Sequence, residues 1–194
     1  MGFLDSVLGG KKKLKRANLE RLFALSTAQV TLEIEQSLKS SGAAAVVYKP
    51  MSAGEFGMAA DEMKELLYSA ARQAGSEVER TSDSYGFDWL VIRDTDFEDL
   101  VTAVHLVSSE LQAKGFGEQL LAAAFRFDGG ERPVYLIYGY KRAAFWPFIP
   151  TGDGQARDNA AELRLKNELE DELPFEQDLT RWLGLFGAPD GQCA

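Results

Sequence analysis

The feature that most constrains the fold is a pair of apolar runs joined by a turn signal. The runs EQLLAAAFRF and PVYLIYGYK are separated by DGGER, and an Asp-Gly step between two apolar runs is a strong signal for a β-hairpin. A second pair of runs, EVERT and YGFDWLVIR, flanks the turn residues of SDS. Because a hairpin makes its two strands antiparallel, both pairs predict antiparallel pairing.

A segment of helical periodicity precedes each hairpin. Apolar residues recur every three or four positions from Met58 to Gln73, and again from about Asp96 to Leu111. AAAVVYKP predicts a further strand that ends at Pro50, whereas VTLEIEQ fits either a strand or a helix. Helices that alternate with hairpins predict an α+β fold, with one antiparallel sheet built from hairpins and helices packed on one face in two layers.

Three shorter segments complete the prediction of local structure. NLERLFALS predicts a short helix with Asn18 as its N-cap. AAELRLKNELEDEL predicts a helix that is capped by Asp158 or Asn159 and ended by Pro174. FWPFIPTGDGQ contains two prolines and two glycines, and we predict that it is irregular.

The composition indicates a globular protein. The chain has 194 residues, 45% of them hydrophobic, which is enough to build a core. No apolar run approaches the roughly 18 residues that cross a bilayer. The single cysteine, Cys193, excludes an intramolecular disulfide, and the apolar residues at the start precede the basic ones, unlike in a secretory signal. We expect a cytoplasmic protein with an N-terminal segment at residues 1–17 and one α+β domain at residues 18–194.

The charge of the chain is unevenly distributed. The net charge is −9, yet residues 1–42 carry seven basic and four acidic side chains. The rest of the chain therefore carries the whole negative excess. An acidic body repels phosphate, so nucleic acid is not expected as a partner.

The sequence contains no motif of a catalytic or metal site. His105 is the only histidine, which excludes sites that need two, and it lies at the edge of an apolar helix face, where a partly buried histidine is expected. The acidic residues of DTDFED, at positions 94–99, suit a helix N-terminus. We expect neither enzymatic activity nor a cofactor.

The segment YLIYGYKRAAFWPFIP is dense in the residue types that carry protein interfaces. We predict a partner-binding surface composed of Tyr138, Tyr140, Lys141, Arg142, Phe145, Trp146 and Phe148. The alternative is structural: the two tyrosines are core residues of a strand, while Trp146 and Phe148 cover the edge of the sheet.

The chain begins with an apolar turn that is followed by a basic run. If the turn is helical, its apolar side chains share one side, and the basic side chains after it can face anionic lipid. We predict weak, reversible membrane contact through Phe3, Leu4, Val7, Leu8, Lys11, Lys12, Lys13, Lys15 and Arg16. The alternative is a helix packed on the body and followed by a solvated basic linker.

Seven segments in order along the chain carry a family resemblance: MGFLD, NLERLFAL, YGFDWLVIR, GFGEQLLAAAF, YLIYGYKRAAFWPF, RDNAAELRL and DLTRWLGLFGAPD. Through them the chain resembles the PspA-associated PspAB family. The resemblance implies a cytoplasmic protein, mainly actinobacterial, that is linked to the phage-shock response to envelope stress, in which PspA coats stressed membrane. It implies PspA or an HtpX-like membrane protease as a partner, and it supplies no catalytic residue or cofactor.

The resemblance also draws attention to Tyr138, Tyr140, Lys141, Arg142, Pro147, Arg157, Asp158, Asn159, Glu162, Arg181 and Trp182. Helix capping is a sufficient explanation for positions 157–159. We predict a non-enzymatic adaptor or regulatory protein of the PspA response that acts through protein-protein contacts. The alternative is a domain that binds a small molecule or a peptide, as secretion chaperones do. An enzyme that uses acidic residues and His105 has the least support.

Overall fold

The computed structural model describes residues 18–49, 75–152 and 154–186, together with residues 65, 68 and 69. Within them, six strands form one antiparallel sheet in the order β2-β3-β1-β4-β5-β6. The strands are β1 (Lys39–Tyr48), β2 (Glu77–Ser82), β3 (Asp88–Arg93), β4 (Leu120–Asp128), β5 (Val134–Gly139) and β6 (Ala144–Phe148). Both predicted hairpins are confirmed, as the β2–β3 and β4–β5 pairs.

The described helices are α1 (Ala24–Thr27), α2 (Gln29–Ile34), α3 (Phe97–Ala113) and α4 (Asn159–Leu169), with 3₁₀ turns at Glu20–Phe23 and Leu179–Arg181. The ambiguous segment VTLEIEQ is therefore largely helical. The prediction of Asn18 as an N-cap is wrong, because the cap position is Leu19 and no side chain caps it. The carbonyl of Asn18 instead accepts a hydrogen bond from the hydroxyl of Tyr138. The helix predicted at 58–73 lies almost entirely outside the described residues.

Alternation along the strands divides the core between the two faces of the sheet. In β1, Val46 and Tyr48 point to the same core as the helices, whereas Ala45 and Val47 point to the opposite face. The helices contribute leucines and valines to the first of these cores, including Leu22, Leu25, Leu32, Leu100, Val104, Leu165 and Leu169. Full burial of such a side chain stabilises the fold by about 1.5–3 kcal/mol. The prediction of an α+β fold is confirmed.

Local signals fix the ends of the long helix α3. The carboxylate of Asp96 accepts hydrogen bonds from the backbone N–H groups of Glu98 (2.9 Å) and Asp99 (3.1 Å), so Asp96 is the N-cap. The helix ends before Gly115, whose φ of 91° is a conformation that favours glycine. The acidic cluster at this junction therefore has a structural role in starting the helix.

The prediction that FWPFIPTGDGQ is irregular is wrong for its first residues, which lie in strand β6 and pair with β5. The N–H and C=O of Phe145 point away from β5, towards Pro174 and Glu176. Pro147 lies two residues later in the same strand, so its nitrogen also points away from β5. Proline is tolerated at this position because the missing N–H is not needed for pairing with β5.

Candidate functional site

A groove of about 700 Å³ lies on the sheet face that points away from the helices. Its lining includes Val47 of β1, Leu121 and Ala122 of β4, and Gly139 of β5. Alanine and glycine leave space above a sheet that larger side chains would fill. The groove therefore exists because the sequence places small residues at the centre of this face.

Two tryptophans line the groove on either side of this centre, Trp89 from β3 and Trp146 from β6. The ring of Trp146 lies over Gly139, where an added Cβ would be 2.7 Å from the ring atom Cζ3. Any larger residue at position 139 would displace the ring. Gly139 thus determines the position of Trp146 and, through it, one wall of the groove.

The turn between β2 and β3 forms a second wall. The carboxylate of Asp83 accepts hydrogen bonds from the backbone N–H groups of Tyr85 and Phe87, both at 2.9 Å, and from Nε1 of Trp89 at 2.8 Å. Tyr85 and Phe87 remain 58% and 36% exposed. The hydroxyl of Tyr85 accepts a hydrogen bond from Gln155, which also lines the groove. Asp83 therefore organises a turn that presents two aromatic side chains.

The third wall is residues 174–186, which we call the C-terminal strap. It pairs with the outer edge of β6, since Phe145 donates to Pro174 and accepts from Glu176, both at 2.8 Å. Further along the strap, the carbonyl of Leu183 accepts a hydrogen bond from Nε1 of Trp146 at 2.9 Å. Backbone pairing and an indole together hold the strap beside the groove.

Arg157 joins the strap to the sheet and to helix α4. Its Nε donates to both carboxylate oxygens of Glu162 at 2.9 Å. Its Nη1 donates to the carbonyl of Trp182 in the strap at 2.6 Å, and its Nη2 donates to the carbonyl of Pro147 in β6 at 3.2 Å. The guanidinium also lies 5.1 Å from the centre of the Phe148 ring. One side chain thus connects three elements.

Glu162 is the buried partner of this arginine, with a side chain only 1% exposed. One of its oxygens also accepts a hydrogen bond from the backbone N–H of Ile149 at 2.8 Å. Burial raises the pKa of Glu162, and the hydrogen bonds from Arg157 and Ile149 oppose that rise. The carboxylate therefore depends on these two donors to offset its desolvation.

Charged side chains are concentrated where the strap meets the β5–β6 turn. The Glu176 carboxylate forms ion pairs with Arg142 and Arg181, with N–O distances of 3.2 Å and 3.6 Å. Arg181 also forms an ion pair with Asp178, with an N–O distance of 3.0 Å. Lys141, beside Arg142, lines the groove and is exposed. This end of the groove combines apolar walls with a cationic rim.

The structure does not place the seven predicted partner-binding residues on one surface. Tyr138, Tyr140 and Phe145 are fully buried in the core beneath the helices. Phe148 is fully buried on the opposite face, against Phe186. Of the seven, Lys141, Arg142 and Trp146 line the groove, but Trp146 is buried, so none of the predicted aromatic residues is exposed.

The buried tyrosines have structural hydrogen bonds. The hydroxyl of Tyr140 is 2.5 Å from the hydroxyl of Ser108 in α3, which in turn donates to the carbonyl of Val104 at 2.7 Å. Tyr138 donates to the carbonyl of Asn18. Burial raises the pKa of both tyrosines well above the usual range. These contacts connect the end of β5 and the residue after it to α3 and to the start of the first described segment.

Sequence reasoning missed Tyr85, Phe87 and Leu183, which supply the exposed apolar surface of the groove. The sequence did hold a signal for Tyr85 and Phe87, since two aromatic residues stand between the turn residues of SDS and the apolar strand DWLVIR. The signal for Leu183 was its position in WLGLFG, an apolar stretch interrupted by glycine. The groove combines residues from five strands, the β2–β3 turn and the strap, so no single motif contains it.

The remaining candidates lie away from the groove. His105 is partly buried in α3, with Nε2 3.5 Å from a Glu20 carboxylate oxygen and its ring against Phe23. Over the described ranges, no cluster of three His, Cys, Asp or Glu side chains could hold a metal ion. The predicted membrane-contact residues, Phe3 to Arg16, lie outside the described residues. Among the helices that are described, none is both long enough and apolar enough to span a bilayer.

A comparison with known families identifies a family that covers almost the whole chain. The family model described as PspA associated protein B matches residues 1–190. No curated protein sequence and no solved structure matches the chain.

Proposed function

Since the chain belongs to the PspA associated protein B family, we propose that it is a non-enzymatic adaptor or regulatory protein that binds a protein partner in the groove. The partner that the family name supports is PspA. An HtpX-like membrane protease is the second partner to test.

The proposal rests on apolar side chains that remain exposed around the groove, whose base is an apolar face of the sheet. Tyr85, Phe87 and Leu183 are 58%, 36% and 65% exposed, and all three line the groove. Exposed apolar side chains that converge on one concavity mark interaction sites, whereas scattered ones need no explanation. An apolar segment bound in the groove would bury all three of these side chains.

The state of the polar groups favours a protein segment over a small polar metabolite. The carboxylate of Asp83 already accepts three hydrogen bonds, and Glu176 is paired with two arginines. A small-molecule site usually contains a few polar groups that are aimed at the ligand and fix its orientation. Here the two carboxylates are engaged with their own walls, and the cations Lys141, Arg142 and Arg181 lie together at one end, so most of the groove is apolar. An extended or helical segment, bound as peptide-binding chaperones bind theirs, fits this groove better.

His105 has no part in the proposed function. It lies among the helices, on the face of the sheet opposite the groove, and its neighbours Glu20 and Phe23 belong to the first described turn. We therefore expect that His105→Gln retains the wild-type affinity for the partner.

We also propose weak membrane contact by residues 1–16, which does not depend on the groove and is tested with lipid vesicles.

The test is a calorimetric titration of PspA into the full chain and two strap variants. Leu183→Ser removes an exposed leucine that lines the groove, and Leu179→Ser removes a 51% exposed leucine of the same strap that does not line it. We expect Leu183→Ser to weaken binding about tenfold and Leu179→Ser to change it by less than about twofold. Absence of PspA binding by the wild-type chain, or equal losses in both variants, would contradict the proposal.

A further inference from the structure

We infer that the groove selects an apolar peptide segment that carries carboxylates at one end, an inference that rests on the proposed function. The carboxylates of the bound segment lie at the cationic rim formed by Lys141, Arg142 and Arg181. The partner it fits is thus an acidic, apolar peptide segment of another protein. Charge and geometry at this end of the groove support the inference separately.

The charge of the groove differs in sign from that of the chain. The whole sequence has a net charge of −9, yet the residues that line the groove include three cations and two carboxylates. One of the carboxylates, Asp83, is saturated by the turn that it organises. The other, Glu176, lies between two guanidinium groups with its side chain only 10% exposed. What remains accessible to a ligand at this end is predominantly positive.

The arginines keep donors free for a ligand. Arg142 contacts Glu176 through Nε, and its side chain is 51% exposed. Arg181 is 44% exposed and uses Nε and Nη1 for its contacts with Asp178 and Glu176. A guanidinium has five N–H donors, so the described ion pairs engage only part of each fork. Glu176 fixes both arginines beside the groove, and their remaining donors can receive a carboxylate in pairs.

Lys141 extends the cationic rim towards the apolar floor. It follows Tyr140 directly after β5, and it lines the groove together with Gly139 and Trp146. A ligand carboxylate at this point would lie next to the apolar side chains that bury the rest of the segment. Rim charges of this kind contribute mainly specificity and association rate, so the expected discrimination is moderate and sensitive to salt.

The chain's own N-terminal segment, residues 1–17, fits the groove less well than an acidic peptide, because its charge has the wrong sign. The apolar residues of the N-terminal segment are followed by the basic run Lys11 to Arg16, which the cationic rim would repel. An acidic segment of a second protein avoids this repulsion.

The test uses two fluorescein-labelled peptides with the same leucine-rich core, one ending in two aspartates and the other in two lysines. Fluorescence anisotropy with the full-length chain is expected to show about tenfold tighter binding of the acidic peptide at low salt. Lys141→Glu should reduce this preference to about twofold or reverse it, whereas Lys39→Glu, an exposed lysine at the start of β1, should leave it unchanged. Added salt should reduce the preference of the wild-type chain.

Equal affinity for the two peptides would overturn the inference, as would a preference that Lys141→Glu leaves intact or binding of neither peptide. If PspA still binds when one of these results is found, the proposed function stands, but the groove does not select acidic segments. If the acidic peptide is preferred but PspA does not bind, the groove selects acidic segments and PspA is not the partner. A rise of more than about tenfold in peptide affinity when Phe3 and Leu8 are changed to Ser would identify the chain's own N-terminal segment as the occupant, and would also overturn the inference.

Discussion

The Nε of Arg157 donates to both carboxylate oxygens of Glu162, and this pair anchors the strap to the sheet. The two residues are five positions apart, at the point where the chain leaves the sheet and enters α4. Because Glu162 is buried and Arg157 also bonds to the carbonyl of Trp182, the stability of the fold and the position of one groove wall depend on the same side chain.

We expect Arg157→Ala to lower the free energy of unfolding by about 3–5 kcal/mol, because it leaves the buried carboxylate of Glu162 without its cation. The carbonyls of Trp182 and Pro147 lose a donor as well. Arg164→Ala, at an exposed arginine in the helix that carries Glu162, is the matched control and should cost no more than about 0.5 kcal/mol. Urea denaturation measures both. Similar midpoints for the two variants would show that the pair does not anchor the strap.

The buried phenols predict a loss of stability at high pH. Burial raises the pKa of Tyr48 to about 12, and it also raises the pKa values of Tyr138 and Tyr140 above the ordinary 10.0. The unfolded chain therefore releases these protons first as the pH increases. The stabilisation is fully present below about pH 10 and is lost as the pH rises through the folded-state pKa values.

We expect the free energy of unfolding to fall by about 1 kcal/mol for each of the three tyrosines between about pH 9 and about pH 11. Urea titrations at the two pH values measure the difference. Tyr140→Phe removes one of the three groups and should reduce the fall, while Ser108 keeps its hydrogen bond to Val104. A free energy that does not change between the two pH values would disprove this account.

Gly129, in the β4–β5 turn, permits a close contact between two stretches of backbone. A Cβ added there would lie 1.9 Å from the carbonyl oxygen of Ser37, whereas one added at Gly130 would meet nothing within 4 Å. Gly129→Ala should therefore destabilise the protein by about 3 kcal/mol, and Gly130→Ala, in the same turn, should be nearly neutral. Thermal unfolding of the two variants gives the comparison. Equal melting temperatures would show that the turn can shift away from Ser37 at no cost.

The basic run near the N-terminus predicts salt-sensitive binding to anionic vesicles. A variant in which Lys11, Lys12 and Lys13 are all Gln should lose most of any co-sedimentation with phosphatidylglycerol vesicles, since each lysine near such a surface contributes about 1 kcal/mol. Neither protein should sediment with phosphatidylcholine vesicles.

The control for this experiment carries the same loss of charge elsewhere, with the exposed Lys39, Lys49 and Lys114 changed to Gln. It should retain binding to the anionic vesicles. Wild-type protein that stays in the supernatant at low salt, or equal losses in the two variants, would refute contact through the N-terminal run.

Short-range pattern was enough to predict most of the fold. The Asp-Gly step, the turn residues of SDS, the acidic residues at positions 94–99 and the cap candidates Asp158 and Asn159 predicted the hairpins and the helix starts, because each signal acts within a few residues. The same reasoning failed at β6. Whether Pro147 can lie in a strand depends on which way its nitrogen points relative to β5 and the strap, and composition does not contain that information.

The site was predicted less well, since interface-prone residue types do not reveal which face of a strand they occupy. Tyr138 and Tyr140 are buried beneath helices, while Gly139 between them opens to the groove on the other face. By itself the sequence determined the α+β class, the hairpins, and a family resemblance that the family comparison confirms. Only the tertiary structure decided which aromatic side chains stay exposed, because that depends on how five strands and the strap, distant in sequence, meet around the small residues at the centre of one sheet face.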